Sequence, residues 1–84
     1  MYWVYIIYCQ RLDKFYIGYS HDHDKRLIQH NSGINRSTKS GAPNWAIVYK
    51  ESSASRIEVM KREKAIKARK SKSYIRSLIK ILIL

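Results

Sequence analysis

Tyr2-Trp3-Val4-Tyr5-Ile6-Ile7-Tyr8-Cys9, followed by Gln10-Arg11-Leu12-Asp13 and then Phe15-Tyr16-Ile17-Gly18-Tyr19, is the stretch whose reading decides the fold. The first run is apolar on both alternating faces, the pattern of a strand covered on two sides, so it is expected at the centre of a sheet. The second run is expected to pair with it through a tight turn at Gln10 to Asp13. Facing residues in such a hairpin have numbers with an odd sum. Strand side chains alternate with period two, so this parity puts Tyr5 and Tyr16 on one face. Gly18, inside the second strand, marks a bulge or a close approach of backbone or ligand, and its missing side chain leaves space beside Tyr16.

Beyond the hairpin, Ser20 is a suitable N-cap for a helix from Asp22 to Asn31, with Asp22 and Asp24 in its first turn and Gly33 just past its end. Arg26 and His30 fall one turn apart on that helix and share a face. Residues 34 to 44 are polar and hold Gly41 and Pro43, the composition of a loop, to which Arg36 and Lys39 add positive charge. A third strand is expected from Trp45 to Lys50, with Ile47 and Tyr49 on one face and Ala46 and Val48 on the other. Ser53 or Ser55 opens a helix reaching about Lys70. Tyr74, Ile75, Leu78, Ile79 and Leu82 recur at helical spacing and predict a final amphipathic helix. The order β-β-α-β-α-α implies an α+β fold: a small, mainly antiparallel three-stranded sheet flanked by helices, in one domain spanning 1 to 84.

The charge balance narrows the class of partner. The 84 residues hold 17 Lys and Arg against 6 Asp and Glu, a formal charge of +11. That excess is larger than solubility requires and points to a polyanion such as DNA, RNA or an anionic membrane surface, with nucleic acid as the first expectation. Cys9 is the single cysteine, so no intrachain disulfide can form and a reducing, cytoplasmic setting is expected. The apolar start has no basic leader and is too short to span a bilayer, so neither a signal peptide nor stable membrane association is expected. The apolar face of the last helix is expected to serve the core of so small a domain rather than a membrane. Ile81, Ile83 and Leu84 could form a self-association surface, which leaves the oligomeric state open.

Several side chains have the chemistry to act on a phosphodiester. Val59, Met60, Glu63, Ile66 and Lys67 share a helix face, so Glu63 interrupts a mostly apolar stripe. A carboxylate there pairs with a nearby base such as Arg62 or Lys67, or supplies an oxygen to Mg²⁺ or Mn²⁺, ions that complete their shell with water and phosphate. Arg26 carries a planar, permanently charged fork suited to phosphate oxygens. His30 could bind phosphate or move a proton near neutral pH. A tyrosine with its ordinary pKa of about 10 needs a nearby cation or metal-bound water before it can deprotonate water. The run His21-Asp22-His23-Asp24 has ligand residue types but no cysteine or further histidine at zinc spacing, and its acids suit a helix start. His23 falls near the Arg26 and His30 face.

Taken together, these motifs resemble the GIY-YIG nuclease superfamily, and more closely its small stand-alone bacterial members related to the nuclease domain of the excinuclease C subunit. The resemblance runs to about Lys70. Trp3-Val4-Tyr5 stands where the family has Gly-Ile-Tyr, and Tyr16-Ile17-Gly18 is the second motif unchanged. The run Asp24-Lys25-Arg26-Leu27 to His30-Asn31-Ser32-Gly33 is similar to the family's arginine helix, and Arg62-Glu63 with Ile66-Lys67 to its glutamate helix. The resemblance implies a three-stranded antiparallel sheet and metal-dependent hydrolysis of DNA. In that scheme Glu63 holds one Mg²⁺ or Mn²⁺, Arg26 steadies the scissile phosphate, and Tyr5 or Tyr16 activates water while the other tyrosine and His30 orient it. Trp3, Lys25, Arg36 and Lys39 are the expected nucleic-acid contacts; Trp3, in place of the family's glycine, either crowds the site or serves as a stacking surface for a base. The alternative is a non-catalytic nucleic-acid-binding module with the same fold and charge.

Overall fold

The computed structural model describes the backbone of residues 1–83 and the side chains of residues 1–80. Strand β1 spans Tyr2–Cys9 and β2 spans Lys14–Ser20; helix α1 follows at His23–Asn31, then β3 at Trp45–Ser53, α2 at Arg56–Arg69 and α3 at Lys72–Ile83. A short 3-10 turn at Lys39–Gly41 lies in the loop between α1 and β3. The sheet order is β2-β1-β3, antiparallel throughout, so the strand that is apolar on both faces is the central one. The expected Ile81, Ile83 and Leu84 surface, and the Leu82 side chain of the final stripe, lie outside the described residues.

The hairpin turns where expected, with the Asp13 N–H donating to the Gln10 carbonyl at 3.2 Å. Asp13 adopts a left-handed φ of 50°, a conformation that Asp tolerates better than most residues. Its carboxylate accepts from the Tyr8 hydroxyl at 2.8 Å and from Lys72 Nζ at 3.2 Å, tying the turn to the start of α3. The β1–β2 register runs without interruption and pairs Tyr5 with Gly18 and Ile7 with Tyr16. Both tyrosines therefore share a face, as the parity requires.

Each face of β1 meets a different partner. Val4 and Ile6, with Ile17, pack against Val59 and Ile66 of α2 and Ile75 and Leu78 of α3. Tyr5, Ile7 and Cys9 pack with Trp45 on the α1 side. Burial of such side chains contributes about 1.5–3 kcal/mol each. Arg62 Nε donates to Glu51 Oε1 at 2.6 Å, while the Tyr49 hydroxyl donates to the other oxygen of Glu51. This network pins α2 to β3.

Three expectations are corrected in detail. Gly18 is not a bulge; it is a close approach, and Tyr5 rather than Tyr16 fills the space. The irregularity lies instead in β3, where the register jumps from Ile6 opposite Tyr49 to Ile7 opposite Ile47. The extra residue, Val48, breaks the alternation, so Ile47 joins the α1 side while Val48 and Tyr49 pack on the other, not Ile47 with Tyr49. Finally, Asp22 and not Ser20 caps α1: its side chain accepts from the Lys25 N–H at 3.0 Å, and Ser20 ends β2 by accepting from the Asp22 N–H at 3.0 Å. Ser55 caps α2, accepting from the Glu58 N–H at 3.2 Å.

A Cβ at position 18 would meet Tyr5 Oη at 2.5 Å and Cζ at 2.6 Å. Because Tyr5 is 1% exposed, its ring has nowhere to retreat. Gly18→Ala is expected to cost about 1–3 kcal/mol of stability through overpacking, a fall of roughly 4–8 °C in Tm per kcal/mol for a domain of this size. An unchanged melting curve would show that Tyr5 can move aside.

Candidate active site

Four elements converge at the end of the sheet where β2 has a free edge. The β1–β2 pairing presents Tyr5, Tyr16 and the bare backbone of Gly18; α1 brings Arg26, and α2 brings Glu63 and Arg56 across the edge. These six residues line a cleft of about 480 Å³. Four of the residues singled out from sequence (Tyr5, Tyr16, Arg26 and Glu63) are thus placed together although they span most of the chain.

His30 stands behind the cleft rather than in it. It is fully buried, and its Nε2 lies 2.8 Å from the Tyr5 hydroxyl. Its Nδ1 lies 2.8 Å from Thr38 Oγ1, and the Thr38 hydroxyl points on to the Asn35 carbonyl at 3.5 Å. In the tautomer protonated at Nδ1, Thr38 accepts from the ring and the Nε2 lone pair is left to accept the Tyr5 proton. The Tyr16 ring flanks the imidazole with centroids 5.0 Å apart.

Burial pushes the His30 pKa below the ordinary imidazole range, and the positive charge of Arg26 acts in the same direction. Burial pushes the Tyr5 phenol up, opposed by Arg26, with Tyr16 and Glu63 adding to the rise. The resting pair is therefore a neutral tyrosine hydrogen-bonded to a neutral imidazole. The lowered His30 value has a consequence for stability. The unfolded chain takes up a proton on this residue near pH 6.5, whereas the folded chain takes it up at lower pH, so stability falls as the pH drops through about 6.5. The Tyr8 hydroxyl and the Lys72 ammonium hold Asp13 below the usual carboxylate range, which places its contribution at lower pH. Melting temperatures between pH 8 and pH 5 are expected to fall more steeply for the parent than for His30→Gln. Parallel slopes would contradict a neutral, buried His30.

Glu63 is mostly enclosed, its side chain 15% exposed, and Lys67 Nζ lies 3.2 Å from its Oε1. Lys67 also stands 5.9 Å from the Tyr16 ring centroid. Arg26 Nη1 donates to Gln29 Oε1 at 2.7 Å, which holds the guanidinium along α1. The donor set fits a divalent ion of the Mg²⁺ type: one carboxylate, bound at one oxygen by a displaceable lysine, in a cleft open to water and phosphate.

Trp3 is on the Tyr5 face but outside the cleft lining. Its ring meets His23 edge-on at 5.1 Å, and Lys50 lies 5.6 Å from its centroid. The tryptophan in place of the motif glycine stands beside the site and does not fill it. The histidine-aspartate run is dispersed: His21 lines the cleft, Asp22 caps α1 and His23 packs on Trp3. Lys25, Arg36 and Lys39 are exposed and lie outside the cleft lining. Among the residues that the sequence reading did not single out are Arg56 in the cleft lining and Thr38 behind it. Arg56 precedes Glu63 by seven residues, two helical turns, so its place on the same face was readable. Thr38 sits among Asn, Ser and Lys in a polar loop, and no sequence signal separates it from its neighbours.

The family model of the GIY-YIG catalytic domain matches residues 1–75. Among solved structures, a UPF0213 protein from Bacillus halodurans determined by solution NMR is similar, with 28% sequence identity and a TM-score of 0.58 over 96% of this chain and 85% of that one. No curated protein matches the chain.

Proposed function

Because this chain belongs to the GIY-YIG family, a nuclease superfamily, we propose that it is a divalent-metal-dependent endonuclease that hydrolyses DNA phosphodiester bonds. The observation that carries this reading is the hydrogen bond between Tyr5 and a buried, neutral His30, at the floor of a cleft that also holds Arg26 and Glu63.

Glu63 is the residue that would hold Mg²⁺ or Mn²⁺. Bound there, the ion supplies positive charge to the scissile phosphate and the leaving oxygen. Arg26 adds a second, preorganised charge from the opposite wall, and its fork matches two phosphate oxygens. Tyr5 accepts the proton of the attacking water as its own hydroxyl proton passes to His30 Nε2. Thr38 holds His30 in the tautomer that can receive it. This relay overcomes the objection that a phenol is too weak an acid to stand ionised at neutral pH, since no free phenolate has to form. Tyr16 lines the cleft and flanks the imidazole, and Gly18, lacking a side chain, leaves room for the Tyr5 oxygen packed against it. A cytoplasmic setting and a role in DNA repair or recombination fit the free, buried Cys9 and the resemblance to the excinuclease subunit.

The test is to incubate the pure protein with Mg²⁺ or Mn²⁺ and single-stranded, duplex, flap and branched DNA, with matched RNA alongside. Metal-dependent cleavage of DNA is expected. Binding without turnover on every substrate would make the chain a non-catalytic nucleic-acid-binding module.

A further inference from the structure

A second depression opens on the other side of the β2 edge, about 220 Å³ in volume, between β2 and the corner joining α2 to α3. Its floor is apolar: Phe15 and Ile17 from β2, Ile66 from α2 and Ile75 from α3. Its rim is basic, with Lys14, Lys67, Lys70 and Lys72. Lys67 is held by Glu63 at 3.2 Å and Lys72 by Asp13 at 3.2 Å. Among the described residues Lys14 and Lys70 have no carboxylate partner, and both are exposed.

The two depressions share a wall. Tyr16 lines the cleft, while its neighbours Phe15 and Ile17 point to the opposite face and floor the groove, a consequence of strand alternation. Lys67 rims the groove while bonding Glu63 of the cleft and standing over Tyr16. A ligand that engages Glu63 frees the Lys67 ammonium at the boundary between the two. A chain leaving the cleft across β2 would run directly into the groove.

We propose that this groove binds an unpaired nucleotide of the DNA strand whose phosphate occupies the cleft, its base on the Phe15, Ile17, Ile66 and Ile75 floor and its phosphates on Lys14 and Lys70. The proposal rests on the nuclease reading for its occupant. Three features select that ligand. An apolar floor with a lysine rim complements a flat base carried on an anionic backbone, the combination by which single strands are held. The groove admits one base and is too small for a duplex, whose bases are in any case stacked inside. Its continuity with the cleft through Tyr16 and Lys67 places the nucleotide on the same strand as the scissile phosphate.

Binding is measured by fluorescence anisotropy with metal withheld, so that affinity is read without cutting. The probes are a DNA duplex with a short single-stranded tail, the same duplex with an abasic tail, and a blunt duplex. The parent is expected to bind the base-bearing tail about tenfold more tightly than the abasic one. Phe15→Leu, which keeps an apolar side chain but removes the ring, should lose most of that preference. Lys14→Gln combined with Lys70→Asn should flatten the salt dependence of tail binding by about 1.4 in log–log slope, from two lost phosphate contacts at about 0.7 each. Asn is chosen because position 70 has a left-handed φ of 47°, which it tolerates. Melting curves confirm that the variants fold. Equal binding of base-bearing and abasic tails by the parent would overturn the proposal, as would variants that retain both the preference and the slope. Cleavage is scored separately with metal added: absence of cutting with the tail preference intact counts against the nuclease reading alone, and cutting without the preference counts against the groove alone.

Discussion

Glu63→Ala is expected to abolish metal-dependent cleavage, by about a thousandfold or more, while leaving the fold and the affinity for nucleic acid in place. The first half follows from the cleft: of the side chains that line it, Tyr2, Tyr5, Tyr16, Gly18, Tyr19, Ser20, His21, Arg26, Arg56 and Glu63, only the last is a carboxylate. A bound divalent ion contributes several kcal/mol of transition-state stabilisation, and each 1.36 kcal/mol is tenfold in rate. The second half follows from what Glu63 does otherwise. Its ion pair with Lys67 is an i,i+4 contact with a lysine that is 48% exposed, worth about 0.3–0.5 kcal/mol, so Tm should scarcely move. Removing one negative charge takes the formal charge from +11 to +12, which favours binding to a polyanion. The decisive comparison is single-turnover cleavage of parent and variant at saturating protein. Equal rates would remove Glu63, and with it the proposed metal site, from the mechanism.

Tyr5→Phe is expected to lower the cleavage rate by about 10²–10⁴-fold, the usual range for loss of a positioned general base. It also leaves the buried Nε2 of His30 without its partner, at a cost of about 1–3 kcal/mol in stability. Tyr16→Phe should be milder on both measures, because among the described residues its hydroxyl makes no hydrogen bond to His30. The acid limb of the parent's pH–rate profile should have its midpoint below 6.5, since His30 must be neutral to receive the proton and burial, with Arg26, lowers its pKa. The assignment fails if Tyr16→Phe is the inactive variant and Tyr5→Phe keeps the parent rate.

These expectations combine features of very different visibility. The shared face of Tyr5 and Tyr16 was readable because a hairpin with a short turn has a parity, and parity needs only counting. The pairing of Arg26 with His30 on one helix, and the break that Glu63 makes in an apolar stripe, were readable for the same reason. The β3 register was not: Val48 looks like an ordinary strand residue, and the bulge exists because Ile47 and Tyr49 are drawn to opposite sides of the sheet. Asp22 and Ser20 are both good caps, and choosing between them depends on where β2 ends. Thr38 was invisible, since its role rests on burial against a histidine eight residues earlier.

What the sequence alone determined was the list of elements, the central place of β1 and the residues able to do phosphodiester chemistry, because each follows from local spacing along the chain. The tertiary structure decided that His30 stands behind Tyr5 rather than beside the substrate, and that Trp3 clears the cleft. It also decided that Glu63 and Arg26 line one cleft at the β2 edge, and that a lysine-rimmed groove continues from the same edge. The physical reason is that these relations are set by packing between elements distant in sequence. Side-chain volume, the exclusion of water around His30 and the angle at which α2 lies on the sheet act only once the chain has closed on itself.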